Sequence, residues 1–414
     1  MSRRDFDVVV VGASVGGCTA ARLFAQRGSR VALVEQRPDV DAYKTVCTHY
    51  IQPSATPTIE RLGLAGPIEE RGAVRNSVDF WTPYGGWVRH LRDTPYGYNV
   101  TRRVLDPLLR RMTADTPGVE PLNGWTATGL LANGRPNGVT VENPHHERRD
   151  LRGRLLVAAD GRDSRIARMA RVPGRVRPHN RFFYWGYWHG VPSDDQRSRF
   201  WFMEPDGAYT FPNEDGLTVV LIAPHRDRLP EFRADLEGAY ARYIAALPDA
   251  PDMGGATREG RLIGKLDVPN VSRSAAKPGL AFVGDAALAS DPLWGVGVGW
   301  AFQSAEWLVD ETADAVLGNG DLDAALASYR RVHRRRLLPH HVTISDLASG
   351  RPANPLERLM YRAAVDDDAV FHTFEGIGSR RRSPATLFAP RSIASLVRAA
   401  WRDGAVSRDG APTA

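Results

Sequence analysis

The run Val8-Val9-Val10-Val11-Gly12-Ala13-Ser14-Val15-Gly16-Gly17 leaves the start of this chain few ways to fold. Four β-branched residues before a glycine turn read as a buried strand. Residues 16–28 follow as a helix, with Ala20, Ala21, Leu23, Phe24 and Ala25 as its apolar positions and Gly28 as its stop. Residues 30–35 form a second strand that closes on Glu35 and Gln36. A β-α-β unit of this kind predicts a parallel sheet. Its turn aims backbone N–H groups and a positive helix end at an anion. Gly12 makes the tight turn and Gly17 lets helix and strand pack closely. Ser14 stands where the middle glycine of G-x-G-x-x-G is usual, and it is small enough for a pyrophosphate to approach, with Gly16 adding slack. A carboxylate at Glu35 can accept hydrogen bonds from an adenosine ribose. This segment by itself indicates a dinucleotide and allows either a flavin or a nicotinamide.

Two later segments narrow the choice. One is Ala158-Ala159-Asp160-Gly161-Arg162-Asp163-Ser164; the other is Ala281-Phe282-Val283-Gly284-Asp285-Ala286-Ala287 followed by Pro292-Leu293-Trp294-Gly295-Val296-Gly297. In this order and spacing the three segments resemble the FAD-dependent monooxygenases of the aromatic-hydroxylase type. The resemblance implies that Asp285, after Gly284, binds the ribityl chain. It implies that the turn carrying Gly295, Val296 and Gly297 brings backbone amides toward the flavin ring. A helix N-terminus there would stabilise the negative charge of reduced flavin. Asp160 and Gly161 resemble the family's second fingerprint, with Ala167 in its arginine slot and Arg165 and Arg168 on either side. Tyr98-Asn99-Val100-Thr101-Arg102-Arg103-Val104-Leu105-Asp106 also matches, and implies Arg102 near the pyrophosphate.

The fold expected is therefore α/β: a Rossmann-like FAD-binding domain with a βαβ start, an antiparallel-sheet substrate domain, and a helical C-terminal tail. FAD-binding parts are expected at residues 1–74, 99–178 and 265–340, substrate-domain parts at 75–98 and 179–264, and the tail at 341–414. The second domain is read from the aromatic, β-branched runs Arg181–Trp188, Phe200–Phe202 and Leu217–Ile222. Helices are expected at 103–114, 230–247, 297–317, 355–364 and 392–402.

Composition bounds the rest. With 414 residues, 43% hydrophobic, the chain can bury two cores. No run reaches the ~18 apolar residues of a membrane span, and Met1-Ser2-Arg3-Arg4-Asp5 leads straight into a strand, so a cytoplasmic protein without an integral membrane segment is expected. Cys18 and Cys47 are too few for a disulfide framework, and no metal site is expected. Cys18 reads as a core residue. The net charge is +6, but Lys44, Lys265 and Lys277 are the only lysines; the rest of the 54 basic residues are arginine. Such a skew fits coding bias better than selection for phosphate, so no nucleic-acid partner is expected. Arg334–Arg336 and Arg380–Arg382 read as solvated surface, and the pairs His145-His146 and His340-His341 as surface or turn residues.

The resemblance implies that NAD(P)H reduces the flavin, that dioxygen converts it to a C4a-hydroperoxide, and that this hydroxylates or epoxidises a small aromatic or polyene molecule. Such chemistry needs a dry, shaped pocket more than protein acids and bases. Catalytic candidates are His49, Trp188, Tyr209, Pro292 and Trp294, and either the Trp185/Tyr187 set or the Tyr184/Gly186/Trp188 set should face the flavin. Lys44-Thr45-Val46-Cys47, and Gly207-Ala208-Tyr209-Thr210-Phe211-Pro212, are similar to segments of geranylgeranyl-reductase-type flavoproteins, which makes C=C reduction the alternative. Halogenases of this fold carry a W-x-W-x-I-P that Trp185–Val191 lacks. A redox-neutral flavoprotein is the remaining reading. The oligomeric state stays open.

Overall fold

A computed structural model describes residues 5–88, 95–193 and 195–409. The strand Val8–Val11 lies in the interior of a six-stranded sheet. It pairs in parallel with Val31–Glu35 on one side and Leu155–Ala158 on the other, Val8 facing both Val31 and Leu155. Val119–Asn123 and Leu280–Phe282 extend this parallel sheet outward, and Ala276–Lys277 adds an antiparallel edge. Strands buried on both faces need continuous apolar sequence, which is what Val8–Val11 and Leu155–Ala158 supply. The helices Val15–Gln26 and Gly297–Val316 pack together on this sheet. They come close at Gly16, where a Cβ would lie 3.3 Å from Val283 and 3.7 Å from the Ala301 methyl.

A second, seven-stranded sheet runs Thr257–Lys265, Phe183–His189, Leu217–Ala223, Gly207–Pro212, Ser198–Phe202, Val78–Thr82, Gly86–Val88. It is antiparallel except for the parallel pair Ser198–Phe202 with Val78–Thr82. Its two faces follow the alternation of the pleat. Trp188, Trp201, Val220 and Ile222 pack against the helices Leu229–Ala234 and Leu236–Ala245. These two helices replace the single one expected at 230–247. Asp235 breaks the run at φ −152°, ψ 85° and caps the second helix, its carboxylate accepting from the Gly238 N–H.

On the other face, Phe183, Trp185, Phe200, Tyr209, Phe211 and Leu221 belong to a core shared with Met360, Tyr361, Phe371, Phe374 and Leu396. Those partners come from the helices Pro355–Ala363, Asp368–Gly378 and Pro390–Asp409. The tail is thus a cover for the second sheet. The helix Leu322–Leu347 runs through position 340 without a break, so the chain has no joint at that point. His340 and His341 sit on it at 3% and 0% exposure, which corrects the surface reading. The helix turns this face inward, as Leu337 and Ile344 on the same stripe show. The basic triplet 380–382 is corrected in part. The Arg380 guanidinium stacks on Trp300 at 5.4 Å and Arg381 pairs with the buried Glu375. Cys18 is buried, and burial pushes its thiol up to about 12. Among the described residues no helix is long and apolar enough to cross a membrane.

Candidate active site

A cleft of about 620 Å³ opens where the C-terminal ends of the parallel strands meet the second sheet. That is the usual place for a ligand in an open α/β sheet. Gly12, Ser14, Gly16, Glu35, Gln36, Arg102, Asp160, Gly161, Gly284, Asp285, Pro292, Gly295 and Gly297 all line it. Three stretches far apart in the chain therefore share one wall. Gly17 and Val296 stand just behind. A Cβ on Gly17 would lie 1.7 Å from the Gly12 carbonyl oxygen, so only glycine permits the approach of helix to strand. The N-terminal helix begins without a side-chain cap at Ser14. Its first amides are thus left for a ligand.

The polar groups of this wall are held in place. Glu35 accepts the N–H of Ala13 at 2.9 Å and of Arg37 at 3.0 Å, which leaves carboxylate lone pairs for a sugar. Buried Arg102 donates to Ser14 Oγ and to Asp106 Oδ1, both at 2.7 Å. Asp160 accepts from Ser164 Oγ at 2.6 Å and from the Ile166 N–H at 3.0 Å, so it also starts the short helix Arg165–Met169. Arg165 and Arg168 both line the cleft. Asp285 pairs with Lys44 Nζ at 3.2 Å. Burial pushes its carboxyl up, but Lys44, Arg162 and Arg102 outweigh that and hold it below the usual carboxylate range.

The turn before the helix Gly297–Val316 is clamped from two sides. Asp291 Oδ1 accepts from Arg181 at 2.8 Å and from the Leu293 N–H at 2.8 Å, and the Asp291 N–H donates to Asn270 at 2.7 Å. Arg181 and Asp291 are both buried. Gly295 takes φ 60°, and a Cβ there would lie 2.4 Å from the Tyr50 ring.

The catalytic candidates separate. Pro292 lines the cleft. Trp188 does not: it stacks on Tyr240 on the sheet's opposite face. Tyr209 is in the core between Phe200 and Phe211. Trp294 borders a separate small hollow with Tyr50, Gln52 and Phe200. It is Trp185, with Phe183 and Leu221, that faces the cleft. Strand parity puts Tyr187 on the same sheet face as Trp185, packed beside it rather than on the cleft wall.

His49 lies behind Cys47 and Thr48, which line the cleft. It is 2% exposed with φ 62°, a conformation uncommon for a side-chain-bearing residue. Its Nδ1 accepts the Arg102 N–H at 2.9 Å, so Nε2 carries the proton and donates to Tyr187 Oη at 2.7 Å. Burial, then Arg102 and Arg103, push His49 down to about 3. Burial also raises Tyr187 to about 12.

Lys265, Ser290, Val268 and Trp125 line the cleft as well, and sequence reading missed them. Lys265 carried a signal, as one of three lysines in an arginine-rich chain. The others gave none.

Residues 5–343 match the family model described as FAD binding domain. The chain belongs to this family. It is 27% identical to a tryptophan 2-halogenase of Chondromyces crocatus over 80% of its own length, and spans 65% of that protein. It is 26% identical to a digeranylgeranylglycerophospholipid reductase of Methanosphaerula palustris, covering 93% of this chain and 94% of the relative. Its fold is similar to that of PqsL of Pseudomonas aeruginosa, described as a probable FAD-dependent monooxygenase, with TM-score 0.68 and 21% identity over 89% of this chain and 98% of the other. The chain is an FAD-dependent oxidoreductase.

The cleft fits FAD on its own geometry. It combines uncapped helix amides, a ribose-competent carboxylate at one end, a buried Arg162 Nε without a partner, and a glycine turn opposite.

Proposed function

We propose that this chain is an NAD(P)H-driven monooxygenase that hydroxylates or epoxidises a small aromatic or polyene molecule. The observation that carries the reading is the wall of the cleft between Pro292 and the second sheet, made of Phe183, Trp185, Leu221 and Val268. Oxygen insertion asks for such a wall: it excludes water and orients an electron-rich carbon. Bound FAD would accept electrons from NAD(P)H and activate dioxygen. Asp285 would hold the ribityl hydroxyls, Glu35 with Gln36 the adenosine ribose, and Arg102 with Ser14 and the loop amides the pyrophosphate. The turn Gly295–Gly297 would present its amides to the ring. Trp185 would fix the substrate plane. His49 would keep Tyr187 in one orientation behind the wall and would itself remain neutral.

The experiment is turnover with labelled dioxygen. One labelled oxygen atom in the product, and no product under nitrogen, is the expected result. A product heavier by two hydrogens that forms equally well under nitrogen contradicts it. That outcome would select the second reading, C=C reduction, which Lys44, Val46 and Cys47 on the cleft wall favour together with the reductase relative.

A further inference from the structure

The cleft wall presents two polar groups with donor capacity to spare, Lys265 and Ser290. Lys265 closes the strand Thr257–Lys265 opposite Phe183, on the same sheet face as Trp185, and lines the cleft. Its ammonium has no hydrogen bond or ion pair among the described residues. The other two lysines are engaged, Lys44 with Asp285 and Lys277 with the Ala170 carbonyl at 2.8 Å. The acidic groups that share the cleft are committed elsewhere: Glu35 to the amides of Ala13 and Arg37, Asp160 to Ser164 and Ile166, and Asp285 to Lys44, while Asp163 lies beside Arg273.

The second group is Ser290. Its Oγ lies 2.8 Å from Nδ1 of buried His341 on the long helix. The other ring nitrogen, Nε2, is buried without a partner. An orphaned buried N–H costs more than an orphaned lone pair. The proton therefore sits on Nδ1 and is donated to Ser290. That leaves the serine hydroxyl proton free to be donated into the cleft. Burial, then Arg177, push His341 down to about 4, so it stays neutral at working pH.

We propose that the substrate is an aromatic or polyene acid whose carboxylate is received by Lys265 Nζ and Ser290 Oγ, while its apolar body lies on Trp185 and Leu221. One ammonium and one hydroxyl match a single negative charge. This deepens the reading under Proposed function and rests on it.

The test uses the FAD-loaded protein and two probes of one shape, 1-naphthoate and 1-naphthamide, followed by calorimetry. The acid should bind about tenfold or more tightly than the amide, the size expected of a charge-assisted hydrogen bond. K265M and K265Q should each remove that preference by weakening the acid alone, and K265R should restore part of it. S290A should weaken the acid by a smaller factor, with FAD content unchanged. Wild-type protein that binds both probes equally, or neither, overturns the proposal, as does a preference that survives in both lysine variants. Failure here beside successful oxygen insertion removes the substrate class only. A protein that cannot be loaded with FAD fails the earlier reading before any probe is added.

Discussion

At the scale of single residues, Asp285 is proposed as a cofactor ligand and Asp291 is a structural anchor, so the two should fail differently. D285A should retain FAD about tenfold or more weakly, because a charge-assisted hydrogen bond is lost. Dialysis followed by the visible spectrum reads this out. D291A strands buried Arg181 without its partner and should cost about 3–5 kcal/mol of stability. A denaturant midpoint unchanged in D291A would contradict the clamp. Much of the cleft wall was legible here because Gly12, Asp160 and Gly284-Asp285 are constrained by backbone geometry, which a sequence records directly. Trp188 and Tyr209 were misjudged because an aromatic residue on a strand has the same signature whether it faces ligand or core. The buried His341 was unreadable because only the helix Leu322–Leu347, packed on the body, turns it inward.

At the scale of elements, register and close approach decide what each strand and helix contributes. W185F should change KM or kcat with FAD retained, whereas W188F should lower stability and leave KM alone. Equal kinetic effects at both positions would mean that the sheet's faces are reversed. G17A forces the first helix off its strand, so it should both destabilise the fold by about 1–3 kcal/mol and reduce FAD binding. The β-α-β opening was predictable from periodicity. The split of residues 230–247 into two helices was carried by one residue, Asp235, whose preference for capping interrupts an otherwise continuous pattern.

For the whole molecule, buried histidines set an acid limit. His49 and His340 are pushed down to about 3, and His333 and His341 to about 4, in each case chiefly by burial. Each folded value lies below the unfolded one near 6.5. The unfolded state therefore binds more protons between those values. The stabilisation is complete above about pH 6.5 and is lost as pH falls toward 4, by roughly 1.4 kcal/mol per group per pH unit. Tm should be flat above neutrality and drop below about pH 6.5; a Tm unchanged down to pH 4.5 would contradict this. The tail could not be placed from sequence, because its apolar positions make sense only against the second sheet. The proposed function rests on one cleft serving as the FAD site, with both ends of the dinucleotide gripped. Titration of the flavin-free protein with FAD and with FMN tests that most directly. One FAD per chain, held far more tightly than FMN, is the predicted result; protein that stays colourless with FAD, or takes FMN equally well, would contradict it.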